Sequence, residues 1–81
     1  MNLTPLRKRA LSLLDQRGEM PGQQFAYELL DKAWKNPQGA QRWAGGYLHP
    51  LVEAGFLRKR YDGWRNCYSV TKEGREALRT I

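Results

Sequence analysis

Cysteine, histidine and long apolar runs are all scarce in this chain. A single cysteine, Cys67, excludes an internal disulfide and any zinc site built from several thiolates. The fold must therefore be held by packing, and a reducing, cytoplasmic setting is expected. A single histidine, His49, leaves no cluster of three metal ligands, so neither a metal nor another cofactor is expected. No stretch approaches the roughly 18 apolar residues that cross a bilayer, so no membrane span is expected. The apolar block 10–14 follows Arg7-Lys8-Arg9, but Asp15-Gln16-Arg17 interrupts it too early for a signal peptide. No serine or cysteine sits in a nucleophile motif, and no glycine-rich phosphate loop follows a strand. His49 and Glu53, one helical turn apart, read as an ion pair rather than half of an active site. The chain does not read as an enzyme.

Acidic residues are also in the minority. Lys and Arg number 14 against 8 Asp and Glu, a formal net charge of +6 over 81 residues. On so small a surface that surplus attracts polyanions, with nucleic acid first and acidic membranes or protein faces second. Hydrophobic residues at 41% and charged residues at 27% belong to a folded protein rather than a disordered one. The length suits one domain over 1–81, which would bury roughly 60% of the surface of its unfolded chain.

The helical punctuation is clear. Thr4 caps a first helix, Pro5 opens it, Gly18 follows it, and Leu6, Ala10, Leu13 and Leu14 form its apolar stripe. Glu19-Met20-Pro21-Gly22 is a connector with at most a residue or two of extended chain. A second helix is expected from about Gln23 to Trp34, with Ala26, Leu29, Leu30 and Ala33 inward. Asn36-Pro37-Gln38-Gly39 stops it. A third helix is expected from about Gln38 or Ala40 to Ala54, with Gly55 as its C-terminal cap and Phe56 folding back. Gly45-Gly46 and Pro50 weaken it, which predicts a kink or a break into two short helices.

After Gly55 the period becomes extended. Residues 56–61 and 64–70 flank Asp62-Gly63, a strong signal for a tight hairpin. A two-residue loop sets Tyr61 opposite Trp64, Arg60 opposite Arg65 and Leu57 opposite Tyr68. Thr71 then caps a short final helix from Lys72 to about Arg79.

Helix, helix, turn, helix and basic hairpin is the order of a winged helix-turn-helix domain. The residues carry that resemblance too. Tyr47-Leu48-His49-Pro50-Leu51-Val52-Glu53-Ala54-Gly55-Phe56-Leu57 resembles the end of a recognition helix entering the wing of MarR-, PadR- and ArsR-type regulators. Tyr68-Ser69-Val70-Thr71-Lys72-Glu73-Gly74 is similar to the exit from such a wing, with its aromatic-x-x-Thr-x-x-Gly pattern. The resemblance is to the superfamily and picks out no single family within it. It implies an α+β fold: a three-helix core, a two-stranded β-hairpin wing and a short C-terminal helix. It also implies a small, sequence-specific, double-stranded DNA-binding protein acting in transcription regulation.

On that reading the start of the third helix enters the major groove. This makes Gln38, Gln41, Arg42 and Gly45 the base-contact residues, the glycine by letting the backbone come close. Gln suits adenine and Arg suits guanine; the alternative is that these are solvated helix residues. The wing's Arg58, Lys59, Arg60 and Arg65, with Lys35 before the turn, are the candidate phosphate contacts. Arg60 opposite Arg65 would repel, and a phosphate between them would relieve it; the alternative is an edge kept basic against aggregation. Arg7, Lys8 and Arg9 either reach flanking phosphates or form a solvated face. Trp64, near the wing tip, packs on Tyr61, contacts DNA or enters a protein interface. Trp34 and Trp43 belong to the core or its edge, and Cys67 to a half-buried strand position. Useful specificity from so few contacts favours a homodimer on two half-sites. A rival reading is an adaptor whose basic wing docks an acidic protein partner.

Overall fold

A computed structural model of the chain describes residues 2–30, 34 and 36–79. Its order is α1 (Pro5–Arg17), β1 (Met20–Pro21), α2 (Gly22–Leu29), α3 (Pro37–Glu53), β2 (Leu57–Tyr61), β3 (Asn66–Val70) and α4 (Lys72–Arg79). Among the described residues the architecture is α+β, with four helices and one antiparallel sheet in the order β1-β3-β2. The expected two-stranded hairpin is thus widened by a third strand. Met20 pairs with Tyr68 and Pro21 with Cys67, so the connector after α1 closes the inner edge of the hairpin. A two-residue strand carries no alternation for a sequence pattern to reveal.

The local signals act as expected at most helix ends. The Thr4 hydroxyl accepts from Arg7 N–H (3.2 Å), and Gly18 leaves α1 at φ 79°. Asn36 and Pro37, expected to end the second helix, begin the third. The Asn36 side-chain oxygen accepts from Gly39 N–H at 2.6 Å, and Pro37 occupies a first-turn position where a missing N–H is harmless. α3 then runs unbroken through Gly45-Gly46 and Pro50, so of the expected kink or break the break does not occur. Packing outweighs the local cost: Ala40, Ala44, Leu48 and Leu51 are completely buried along one stripe. α2 ends at Leu29, short of Trp34, because Leu30 is extended. The Arg9 guanidinium donates to the Leu29 carbonyl (3.3 Å), supplying a partner that a further helical turn would otherwise have provided. Asp31, Lys32 and Ala33 lie outside the described residues.

The core joins Ala10, Leu11 and Leu14 of α1 to Phe25, Ala26 and Leu29 of α2, the inner stripe of α3, and Leu57, Tyr68 and Val70 of the sheet. Trp43 stacks on Tyr47 (ring centroids 5.1 Å) and meets Trp34 at 5.6 Å, at the edge of this core as expected. Burial pushes the Tyr47 and Tyr68 hydroxyls above the ordinary phenol range.

The turn from α3 to the sheet and the start of α4 are one joint. Gly55 takes φ 83° and Phe56 N–H returns to the Leu51 carbonyl at 3.0 Å. The Thr71 hydroxyl donates to the Gly55 carbonyl (2.6 Å) and accepts from Gly74 N–H (3.1 Å). A Cβ on Gly74 would run into the Phe56 carbonyl oxygen and come within 2.8 Å of a Val70 methyl. The Thr-x-x-Gly pattern is therefore a packing device, and it locks α4 against the root of the hairpin.

Candidate functional site

The solvent face of α3 carries Gln38, Arg42, Gly46, His49 and Glu53, at spacings that keep them on one side of the helix. His49 and Glu53 form the expected pair at 3.3 Å. Gly45 lies on the flank instead, half-buried, where a Cβ would meet the Tyr68 hydroxyl at 3.5 Å. Gly46 is the glycine with open space before it: a Cβ there would have nothing within 4 Å.

Gln41 has a different use from the one expected. Its side-chain oxygen accepts from Gln23 N–H at 2.8 Å, satisfying a first-turn donor of α2. Its amide nitrogen donates to the Asn66 carbonyl at 3.1 Å, where β3 begins. One amide thus ties α2, α3 and the hairpin together, and both of its ends are occupied within the fold. Gly22 is part of the arrangement, since a Cβ there would lie 3.0 Å from the Gln41 nitrogen and 3.1 Å from Ala44 Cβ.

The hairpin register also differs from expectation. Tyr61 pairs with Asn66, Arg60 with Cys67, Lys59 with Tyr68, Arg58 with Ser69 and Leu57 with Val70. The loop is accordingly 62–65 rather than Asp62-Gly63 alone. Asp62 builds it: its carboxylate accepts from Trp64 N–H (2.9 Å) and Arg65 N–H (2.8 Å), while its own N–H donates to the Arg65 carbonyl (3.1 Å). Gly63 supplies the positive φ of 97° that the turn requires. These N–H bonds, Arg65 first and Trp64 second, hold the Asp62 carboxyl below the ordinary range.

The slip removes the expected repulsion between Arg60 and Arg65. Arg60 reaches across β3 to Glu19 instead, in a two-pronged ion pair at 2.9 and 2.5 Å. Its hydrogen bond holds the Glu19 carboxyl below its ordinary range, and the carboxylate in turn raises Arg60. Arg58 and Lys59 are exposed on the edge strand β2. Cys67 is buried at the centre of the sheet, and desolvation pushes its thiol above the ordinary range. Arg65 leaves the ladder altogether and sets its guanidinium 5.1 Å from the centre of the Trp64 ring. Trp64 does not face Tyr61; it stands 79% exposed at the loop.

Between this loop and the start of α3 lies a cleft of about 730 Å³. Asn36, Gln38, Gln41 and Arg42 form one wall, Trp64 and Arg65 the other, and Gln23 also lines it. The tertiary fold thus brings Gln38, Arg42, Arg65 and Trp64 to one concavity, while Arg58, Lys59 and Arg60 stay on the adjoining strand. Arg7 and Arg9 are used elsewhere: Arg7 donates to the Asn2 carbonyl (3.1 Å), and Arg9 caps α2. Lys35 lies outside the described residues. Asn36, Glu19 and Asp62 carry roles that the site residues named from sequence do not include. Asn36-Pro37 had a readable helix-start signature, whereas nothing local marks Glu19 as the partner of Arg60.

The resulting surface is rich in hydrogen-bond donors and cations around one exposed indole, which suits a planar, anionic ligand. Among the described residues no cluster of three metal-type ligands occurs, and no helix is long and apolar enough to cross a membrane. No protein-family model, curated protein or solved structure matches the chain.

Proposed function

We propose that this protein is a winged helix-turn-helix domain that binds double-stranded DNA as a transcriptional regulator. The observation that carries the reading is the cleft, where Gln38 and Arg42 of α3 confront Arg65 and Trp64 of the hairpin loop. In this reading the exposed start of α3 lies in the major groove, Gln38 and Arg42 meet base edges, and a phosphate strand runs through the cleft. Arg58, Lys59 and Arg65 neutralise phosphates, and the net charge of +6 draws the duplex in. Gln41 acts indirectly, by holding the two walls in register. Two copies on paired half-sites would supply the specificity that one such surface lacks.

The test is fluorescence anisotropy with labelled mixed-sequence duplex across a range of salt concentrations. A log–log salt slope of about −3 or steeper is expected, reduced by roughly 1 to 2 in an Arg58→Ala/Lys59→Ala variant. Failure to bind even at low salt overturns the reading. A second reading, an adaptor for an acidic protein, draws on the 79% exposure of Trp64. It predicts binding anchored on the indole and much less sensitive to salt.

A further inference from the structure

We propose that the cleft between the start of α3 and the hairpin loop seats one unstacked nucleotide, so that the protein prefers duplex DNA with an interrupted base stack. The inference rests on the duplex binding proposed above and names the form of duplex preferred.

The starting point is Trp64. An indole that is 79% exposed contributes little to this fold, and its position is not left loose. The two hydrogen bonds from Trp64 and Arg65 N–H to the Asp62 carboxylate fix the loop beneath it. The backbone that carries the ring therefore has little ordering left to be done on contact. Arg65 lies over the ring at 5.1 Å, and its Nε is shielded from water with no hydrogen-bond partner among the described residues. A cation thus stands beside a largely exposed aromatic ring.

Across the cleft, Arg42 and Gln38 offer a second cation and an amide able both to donate and to accept. The volume of about 730 Å³ falls within the range of sites that hold small organic ligands, so one nucleotide fits. The chemistry divides naturally: the base stacks on Trp64, its phosphate lies between Arg65 and Arg42, and Gln38 meets a base edge. A run of Asp and Glu would satisfy the arginines but brings no ring to the indole, whereas a nucleotide carries its anion and its flat ring in one unit. In an intact duplex both faces of each interior base are covered by neighbours. A bulge, a gap or an opened step uncovers them, and a stacking side chain selects that state because less stacking has to be broken.

The experiment measures anisotropy at one salt concentration with two labelled duplexes, identical except for one central unpaired nucleotide. The full chain and its Trp64→Ala and Trp64→Phe variants are compared, with folding checked by circular dichroism. The unpaired site is expected to bind about 5- to 150-fold more tightly, the range that one base–aromatic stack supplies. Trp64→Ala should erase that preference, weakening binding to the unpaired site far more than to the intact duplex, and Trp64→Phe should retain part of it. Equal affinity of the full chain for both duplexes overturns the inference, as does an equal loss on both in Trp64→Ala. Both results leave the duplex-binding reading standing. Absence of binding to either duplex at low salt overturns the two together.

Discussion

Replacing Gln41 by alanine separates a reading side chain from a structural one. In the folded protein its amide closes two gaps at once, accepting from Gln23 N–H (2.8 Å) and donating to the Asn66 carbonyl (3.1 Å). Both bonds are partly buried, and they join segments 18 and 25 residues away from Gln41. Alanine leaves one N–H and one carbonyl to find water in a site shaped for an amide. With each bond worth about 0.5–1.5 kcal/mol net, the loss should be about 2 kcal/mol. For a domain of this size that lowers Tm by about 8–16 °C. Thermal and urea unfolding followed by circular dichroism measures it. Gln41→Glu sharpens the point, because it keeps an acceptor for Gln23 but turns a carboxylate toward the Asn66 carbonyl, so it should be no more stable than alanine. Gln38→Ala, on the exposed face, should leave Tm within about 4 °C of the parent, as surface substitutions usually do. An unchanged Tm in Gln41→Ala, together with lost DNA binding, would refute the structural role and return Gln41 to base reading.

Two glycines should respond in opposite directions. Gly46→Ala, with open space around it in a helix interior, should stabilise the fold by roughly 1 kcal/mol. Gly74→Ala should destabilise it, since the same helical gain is outweighed by a collision with the Phe56 backbone; equal melting temperatures would refute this packing argument. Glu19→Gln releases Arg60, so it should tighten duplex binding and steepen the log–log salt slope by about 1; an unchanged slope would mean that Arg60 does not reach phosphate. The Asp62 and Glu19 carboxyls are both depressed in the fold, so their stabilisation is complete above the ordinary carboxylate range and is lost as pH falls through the depressed values. Tm should therefore decline below about pH 4. Asp62→Asn, which keeps an acceptor but loses the charge, should start lower at neutral pH and decline less; parallel curves would remove Asp62 from the account.

The helices were legible because their signals are local. Thr4 with Pro5, Gly55 and Thr71 each act within a turn or two of themselves, and the structure uses them accordingly. The α1 stripe is buried at Ala10 and Leu14, but Leu11 is the third fully buried residue, with Leu6 and Leu13 only half-buried. The Asn36-Pro37 step was legible as a boundary, though its cap serves the helix that follows rather than the one before. The hairpin was legible in existence but not in register. Asp62-Gly63 announces a turn, yet Asp62 gathers the N–H groups of both Trp64 and Arg65 into a longer loop. That moved Arg60 from Arg65 to Cys67 and dissolved the charge repulsion. The break into two helices, one of the two outcomes expected at Gly45-Gly46 and Pro50, was a sum of local costs, and four buried residues on the far side of α3 outweighed it.

Composition and periodicity by themselves determined a small, basic chain of helices ending in a hairpin and a capped helix. Those features rest on charge count, apolar spacing and caps, which require only near neighbours in the chain. Tertiary structure alone decided that Gln41 binds the fold rather than facing outward, that Glu19 holds Arg60, and that Arg42 and Trp64 share a cleft. Each of these joins residues far apart in sequence through side chains a few ångströms long. Which partners meet at that range is set by the packing of α2, α3 and the sheet on their common core, and no local spacing encodes it.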